Sequence, residues 1–316
     1  MGYLVQTGRD TYAPNNFSKS LTIPIVADGY PFYRSVCIAP MLHLHKWFAT
    51  KSNTTTPTTV RDNPFTFAHQ TGQTMFDFMA AFPRYNEQFN HHMGGYRLGR
   101  PSWFDESVYP VKSHLFSSSS FLSDDDDDDG GDGGKDPVLL VDIGGNMGHD
   151  LQRFVSAFPA SPAKKGKLIL QDQASVISAA PIATLEKLGI ICMAHDFFTP
   201  QPVRGARAYY LHHILHDWPD GKCVSIVSQI KGAMKPGYSR LLINEHVIPD
   251  GDKDDDTKLS WEATYLDLYM MILFGSRERT AREWKVLLED KCGMKILQVW
   301  NPGEGVEGII ECEVSV

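Results

Sequence analysis

Cysteine is scarce in this 316-residue chain: five thiols stand at Cys37, Cys192, Cys223, Cys292 and Cys312, with no CxxC pair among them. So odd and dispersed a set excludes a disulfide framework and points to reduced thiols in a cytoplasmic protein. Positive charge is not in surplus either. Lysine and arginine total 30 against 38 acidic residues, and the run Asp124–Asp129 supplies six of the latter, leaving 32. A chain this balanced has little with which to neutralise a phosphate backbone, which excludes nucleic acid as a partner. No apolar run approaches the ~20 residues that cross a bilayer, so no membrane partner is expected. The start, MGYLVQTGRD, lacks the cationic and apolar regions of a secretion signal.

What is present is a hydrophobic share of 42%, enough over this length for one large domain or two smaller ones. Gly2 to Asn16 reads as two short strands around Gly8-Arg9-Asp10, with Pro14 closing the second. Asn63 to Gly94 is helical in pattern, with one apolar face at Phe76, Met79, Ala80 and Pro83 and another at Tyr85, Phe89, His92 and Met93. Residues 116–136 are rich in serine, aspartate and glycine; they cannot bury apolar area, and they read as a solvated linker. From Pro137 onward strands and helices alternate, which implies a mostly parallel sheet covered on both faces. Lys295–Trp300 and Gly308–Val314 follow each other without a helix, predicting an antiparallel hairpin at one edge.

The first strand of that region, VLLVDI, runs into Asp142-Ile143-Gly144-Gly145-Asn146-Met147-Gly148. Glycines there let the chain turn sharply and pass close to a ligand, a feature shared by dinucleotide and S-adenosylmethionine (SAM) sites. Asp172 ends the second strand, where its carboxylate can accept from both hydroxyls of a ribose. Asp196 follows the third, where it can accept from an adenine amino group while Phe197 packs on the ring. A nicotinamide cofactor fits these residues as well as SAM does.

The fourth strand leads into Tyr209-Tyr210-Leu211-His212-His213-Ile214-Leu215-His216-Asp217-Trp218-Pro219-Asp220. Three histidines invite a metal reading, but the spacing is not that of a zinc helix and no further cluster completes a shell. Of His212 and His213, one is expected to face the core or a cofactor and the other solvent. Asp217 is a candidate cap for the helix that starts near Trp218-Pro219.

LHHILHDWPD resembles the signature of the plant and fungal caffeic-acid-type O-methyltransferases, and VDIGGNMGHD resembles their glycine-rich SAM loop. LILQD, MAHDFF, LLINEHVIPD and LDLYMMILFGSRERTAREWKVLLEDKCGMKI follow in that family's order. The resemblance implies a Rossmann-like α/β SAM-methyltransferase sheet with a C-terminal antiparallel hairpin. A truncated winged-helix-type N-terminal domain would precede it. The divisions expected are a wing remnant over 1–60, a helical segment lining the acceptor pocket over 61–115, the linker over 116–136 and the catalytic domain over 137–316.

It further implies SAM as cofactor, held by Asp142, Gly144, Gly145, Gly148, Asp172, Asp196, Phe197 and His212. His216 would be the general base, flanked by Glu245 and Glu278, with Met93, Asp217 and Met271 on the acceptor side and no metal. The HDWPD form and the GHD after the loop look fungal, which implies a phenolic, polyketide-type acceptor. Two features depart from the family: Asn146 replaces a glycine, and the helices that precede the wing and build a homodimer are not in this sequence. Other expectations compatible with the same residues are a SAM fold turned to dehydration or pericyclic chemistry, or a truncated inactive form.

Overall fold

The structure, a computed structural model, describes residues 2–51, 59–96, 98–116, 137–159, 166–250, 261–301 and 307–315. The acidic run Asp124–Asp129 therefore lies outside the described residues. The chain forms two compact units, Met1–Arg100 with Ile272–Gly275, and Pro101–Met271 with Ser276–Val316.

The first unit opens with the expected hairpin, β1 (Leu4–Gly8) antiparallel to β2 (Thr11–Pro14). Helices follow over Ile38–Ala49, Pro64–Ala68, Met75–Ala81 and Pro83–Tyr96. Their starts are written locally: Asn63 and Thr74 each accept from the backbone N–H three residues on, closing capping boxes with Thr66 and Asp77. The apolar face expected over 76–83 is corrected. Met75 and Met79 are the buried pair, while Ala80 and Pro83 are exposed. Phe82 leaves helical geometry, so Pro83 begins a new helix and loses the periodic relation to Phe76.

The second unit is built on seven strands: β3 (Val138–Ile143), β4 (Lys167–Asp172), β5 (Ile190–Ala194), β6 (Ala208–His212), β7 (Arg240–Glu245), β10 (Met294–Trp300) and β11 (Gly308–Val314). Two short strands, β8 (Val247–Ile248) and β9 (Arg279–Thr280), pair separately and in parallel. The sheet order is β10-β11-β7-β6-β3-β4-β5, parallel except for β11 against its two neighbours. The expected Rossmann-like sheet and edge hairpin are thus in place. Both faces are covered. On β6 Tyr209 and Leu211 enter one core, with Ile226, Val227 and Ile230 of the helix Asp220–Lys231. Ala208 and Tyr210 enter the other, with Phe154 of the helix His149–Ala157.

Residues 101–116 belong to this second core, so the segment expected over 61–115 divides at Arg100. Trp103 is 1% exposed and stacks on Phe154 and Tyr210, with centroids 5.6 and 4.7 Å apart. Truncating such a ring typically costs about 3–5 kcal/mol, enough to bind the segment to the sheet rather than to the helices before it. An α-helix over Ala281–Lys285 continues as a π-helix over Val286–Lys291.

Strand order reverses between β3 and β6: one leads outward to β4 and β5, the other to β7. Ligands of open α/β sheets bind at the carboxyl ends of strands at such a switch point. The glycine loop leaves β3 there, and the histidine-rich turn leaves β6 beside it.

Candidate active site

The loop after β3 is shaped by its backbone. Gly144 and Gly148 have φ of +74° and +72°, and Asn146 takes +52°, the left-handed region that asparagine tolerates. A Cβ on Gly144 would meet Ile214 Cδ1 at 2.5 Å, and one on Gly145 would meet the Asp142 carboxylate and Leu170 at 2.5 Å. The loop therefore lies directly against the turn that carries His216. Asp172 Oδ2 accepts from Asn146 N at 2.8 Å and Oδ1 from Gln173 N at 2.7 Å, while burial raises its pKa. This carboxylate, fixed beside a glycine loop at a strand end, suits ribose hydroxyls. Asp196 is exposed and accepts from Phe198 N at 2.9 Å, and Phe197 is half-buried beside it. The donors and acceptors present fit a nucleoside cofactor.

The turn after β6 is built from side chains. His213 takes φ of +52°, and residues Leu215–Asp217 form one 3₁₀ turn. Trp218 is extended, as a residue before proline must be, and the next helix starts at Asp220 with Pro219 as its cap residue. Asp217 therefore does not cap that helix. Its Oδ1 lies 3.6 Å from His216 Nε2 instead.

Glu245, the last residue of β7, is fully buried. Its Oε1 accepts from the N–H groups of Ile214, Leu215 and His216 at 3.0, 2.8 and 3.3 Å, and its Oε2 lies 3.5 Å from His216 Nδ1. Glu278 Oε1 is 2.6 Å from the same Nδ1, a charge-assisted bond that places the proton on that nitrogen in the neutral ring. Nε2 is then the basic nitrogen. Burial alone lowers the pKa of His216, but the charges of Glu245, Glu278 and Asp217 outweigh it and raise the value to about 10. Burial lifts Asp217 and Glu245 to about 7.

His212 and His213 both turn inward, correcting the expectation that one faces solvent. The left-handed step at His213 interrupts the strand's alternation. His212 Nδ1 is 2.9 Å from Asp150 Oδ2, which also accepts from Tyr210 Oη, and Asn244 Nδ2 donates to that hydroxyl at 2.8 Å. His213 Nε2 is 3.2 Å from Glu307 Oε1, and burial holds its pKa well below the usual range. Two triplets, His212–His213–Glu307 and His213–His216–Glu245, bring potential metal ligands within 4.8 Å of one another. A metal in the second would have to break the Glu278 bond and the nest of N–H groups on Glu245.

The geometry brings His216, Glu245, Glu278 and Asp217 together, and sets Gly144, Gly145, Gly148, Asp142 and Asp172 at the neighbouring loop. Met93 is half-buried in the first unit; Met271 is half-buried and falls in the second, while Met270 beside it is core.

Residues 137–293 match the model of the O-methyltransferase domain. The chain is 35% identical over 315 residues to the O-methyltransferase asqD of Emericella nidulans, spanning 97% of this chain and 72% of that one. This chain belongs to the SAM-dependent O-methyltransferase family.

It is also 38% identical over 242 residues to the demethylsterigmatocystin 6-O-methyltransferase of Aspergillus parasiticus, spanning 76% of this chain and 54% of that enzyme. Among solved structures it resembles LepI in complex with SAM, with TM-score 0.82 and 28% identity over 99% of this chain and 73% of that one. It resembles OxaC in complex with SAH and oxaline at TM-score 0.79 and 25% identity, over 100% and 72%. SAM is accordingly the cofactor of this methyltransferase, and a small molecule its acceptor. Among the described residues no helix is long and apolar enough to cross a membrane.

Sequence reasoning assigned no role to Asp150, Tyr210, Asn244 or Glu307. Only Asp150 had a local signal, as the acid in the GHD that opens a helix. Tyr210, Asn244 and Glu307 meet side-chain partners 60, 34 and 94 residues away and carry none.

Proposed function

We propose that the methyltransferase moves the methyl group of SAM to a phenolic hydroxyl of an aromatic, polyketide-type metabolite, with His216 as general base. The observation that carries this reading is the 2.6 Å pairing of His216 Nδ1 with Glu278, which leaves Nε2 free to take a proton. The charges of Glu245, Glu278 and Asp217 raise the pKa of His216 above that of an ordinary imidazole, which brings its basicity closer to that of a phenolate, near ~10. Glu278 fixes the tautomer and, with Glu245 and Asp217, stabilises the imidazolium that forms. SAM, when bound, supplies an activated methyl and a positive charge that opposes resting protonation of His216. Asp142, Gly144, Gly145, Gly148, Asp172, Asp196, Phe197 and His212 are the residues that would hold it. Met93, Asp217 and Met271 are assigned to the acceptor.

Incubation with labelled SAM and a panel of phenols, with and without EDTA, tests this. EDTA-insensitive transfer that His216→Ala abolishes is the expected result; transfer that survives the substitution sinks the base assignment. A second reading, pericyclic catalysis on the same fold, is favoured by the TM-score of 0.82 to a pericyclic enzyme. It predicts SAM binding without label transfer. Five cysteines outside any disulfide, four of them buried, fit a reducing, cytoplasmic setting. Exposed Tyr3, Leu4, Val5, Tyr12 and Phe17 support a homodimer through the first unit, checked by sedimentation velocity.

A further inference from the structure

The residue after Glu278 is Arg279, a charged side chain only 1% exposed. Its guanidinium is devoted to the turn that carries the base. Nη1 donates to Leu215 O at 3.0 Å and Nη2 to Trp218 O at 2.9 Å, the carbonyls on either side of His216-Asp217. Nε and Nη2 both donate to Asp220 Oδ1, at 3.2 and 3.0 Å, and Nη2 lies 3.4 Å from Cys223 Sγ. Trp284 covers the cation, its ring centroid 5.1 Å from Cζ. Asp220 is steadied in turn by Lys291 Nζ at 2.7 Å.

The backbone of Arg279 is fixed from another direction. In the β8–β9 pair it stands opposite Val247, two residues beyond Glu245, and the Glu278 N–H donates to Asp267 Oδ1 at 3.0 Å. One small clip thus presents three groups to the same turn: Glu245 to its amides, Glu278 to the imidazole and Arg279 to its carbonyls. Glutamates at the first two places hold the ring from the Nδ1 side. The arginine restrains the backbone on both sides of His216-Asp217, and the Cys223 thiol donates more weakly to the same two carbonyls, at 3.2 Å each.

We propose that Arg279, braced by Asp220, is a positioning residue for the methyl-transfer reaction: it sets the His216 turn so that Nδ1 stays on Glu278 and Nε2 faces the acceptor. This rests on the assignment of His216 as base. Lysine cannot replace it, because a single ammonium on a flexible stem does not bridge two carbonyls and a carboxylate in one plane.

The test uses the full chain carrying Arg279→Lys, Asp220→Asn or Arg279→Ala. Two readouts are taken on folded protein: steady-state kinetics, and the NMR titration of the His216 Cε1 proton, whose surroundings are Glu245, Glu278, Asp217 and the His213 ring. In Arg279→Lys, kcat is expected to fall about 10- to 100-fold, the scale of a misplaced catalytic group, with both KM values within about threefold. The His216 titration moves to lower pH as the Glu278 contact loosens. Asp220→Asn gives the same pattern, weaker. Added guanidinium restores part of the rate of Arg279→Ala and none of His216→Ala.

A folded Arg279→Lys with wild-type kcat and wild-type titration overturns the proposal. So does a loss confined to KM, or a rate loss that only tracks the unfolded fraction. Should the wild-type chain transfer no methyl group, the base assignment fails, while the His216 titration still decides whether Arg279 positions the ring.

Discussion

The loop after β3 and the turn after β6 leave adjacent strands of one sheet, and they are built in opposite ways. The loop works through backbone: two left-handed glycines, a left-handed asparagine and a carboxylate bonded to amides. Its parts lie within about one strand–helix unit of each other. The turn works through buried side chains, and its partners come from 29 to 62 residues away. A backbone device tolerates few substitutions but owes little to distant sequence. A side-chain device depends on remote segments arriving in register, and here the β8–β9 pair joins the two concerned, the end of β7 and Glu278-Arg279.

The sharpest way to break this comparison is His216→Ala. Label transfer should fall by about 10³-fold or more, the range of a lost general base, while the SAM dissociation constant from calorimetry stays within about threefold. Loss of SAM binding in that variant would show that the two regions are not separable. Glu278→Gln should come next, lowering kcat by about 10²-fold with little change in melting temperature, since the ring loses a charged partner but not a hydrogen bond.

Glu245→Gln should do the reverse in emphasis. Its Oε1 gathers three amides, so the larger effect is on stability, about 1–3 kcal/mol by denaturant titration. Equal rate and stability losses in the two variants would erase the distinction between a ring partner and a turn anchor.

The pH dependence of stability gives a smaller signal with a definite sign. His216 binds its proton more tightly folded than unfolded, so its contribution is complete below pH 6.5 and is lost as pH rises towards 10. Asp217 and Glu245, also raised, lose theirs between about pH 4 and 7. Between pH 7 and 8.5 the wild-type melting temperature should therefore fall, and His216→Gln should flatten that slope. A parallel slope in both proteins would remove His216 as its source. Smallest of all, Asn146→Gly should change stability by less than about 1 kcal/mol and leave SAM binding intact, because glycine adopts the same φ freely.

Much of this was legible along the chain. A short apolar run such as VLLVDI fits a strand buried on both faces, and the alternation of strands with amphipathic helices after Pro137 implies a parallel sheet. His216, Glu245 and Glu278 were recognisable because their motifs occur in a family's order. Other expectations failed for local reasons. Phe82 ended a helix that periodicity would have continued, and His213 took a left-handed angle that turned two neighbouring histidines inward. Asp217 looked like a cap because a helix follows it, yet Pro219 takes that place and the carboxylate turns to His216.

By itself the sequence determined the sheet, the glycine loop with its left-handed positions, and the choice of His216 as the residue proposed as base. Tertiary structure alone decided which nitrogen of His216 is basic, that Glu245 anchors amides while Glu278 holds the ring, and that Arg279 and Glu307 belong to the same neighbourhood. The physical reason is range. Backbone angles and periodicity are fixed by neighbours along the chain, whereas the charge around a buried imidazole depends on which distant carboxylates the sheet register brings within a few ångströms.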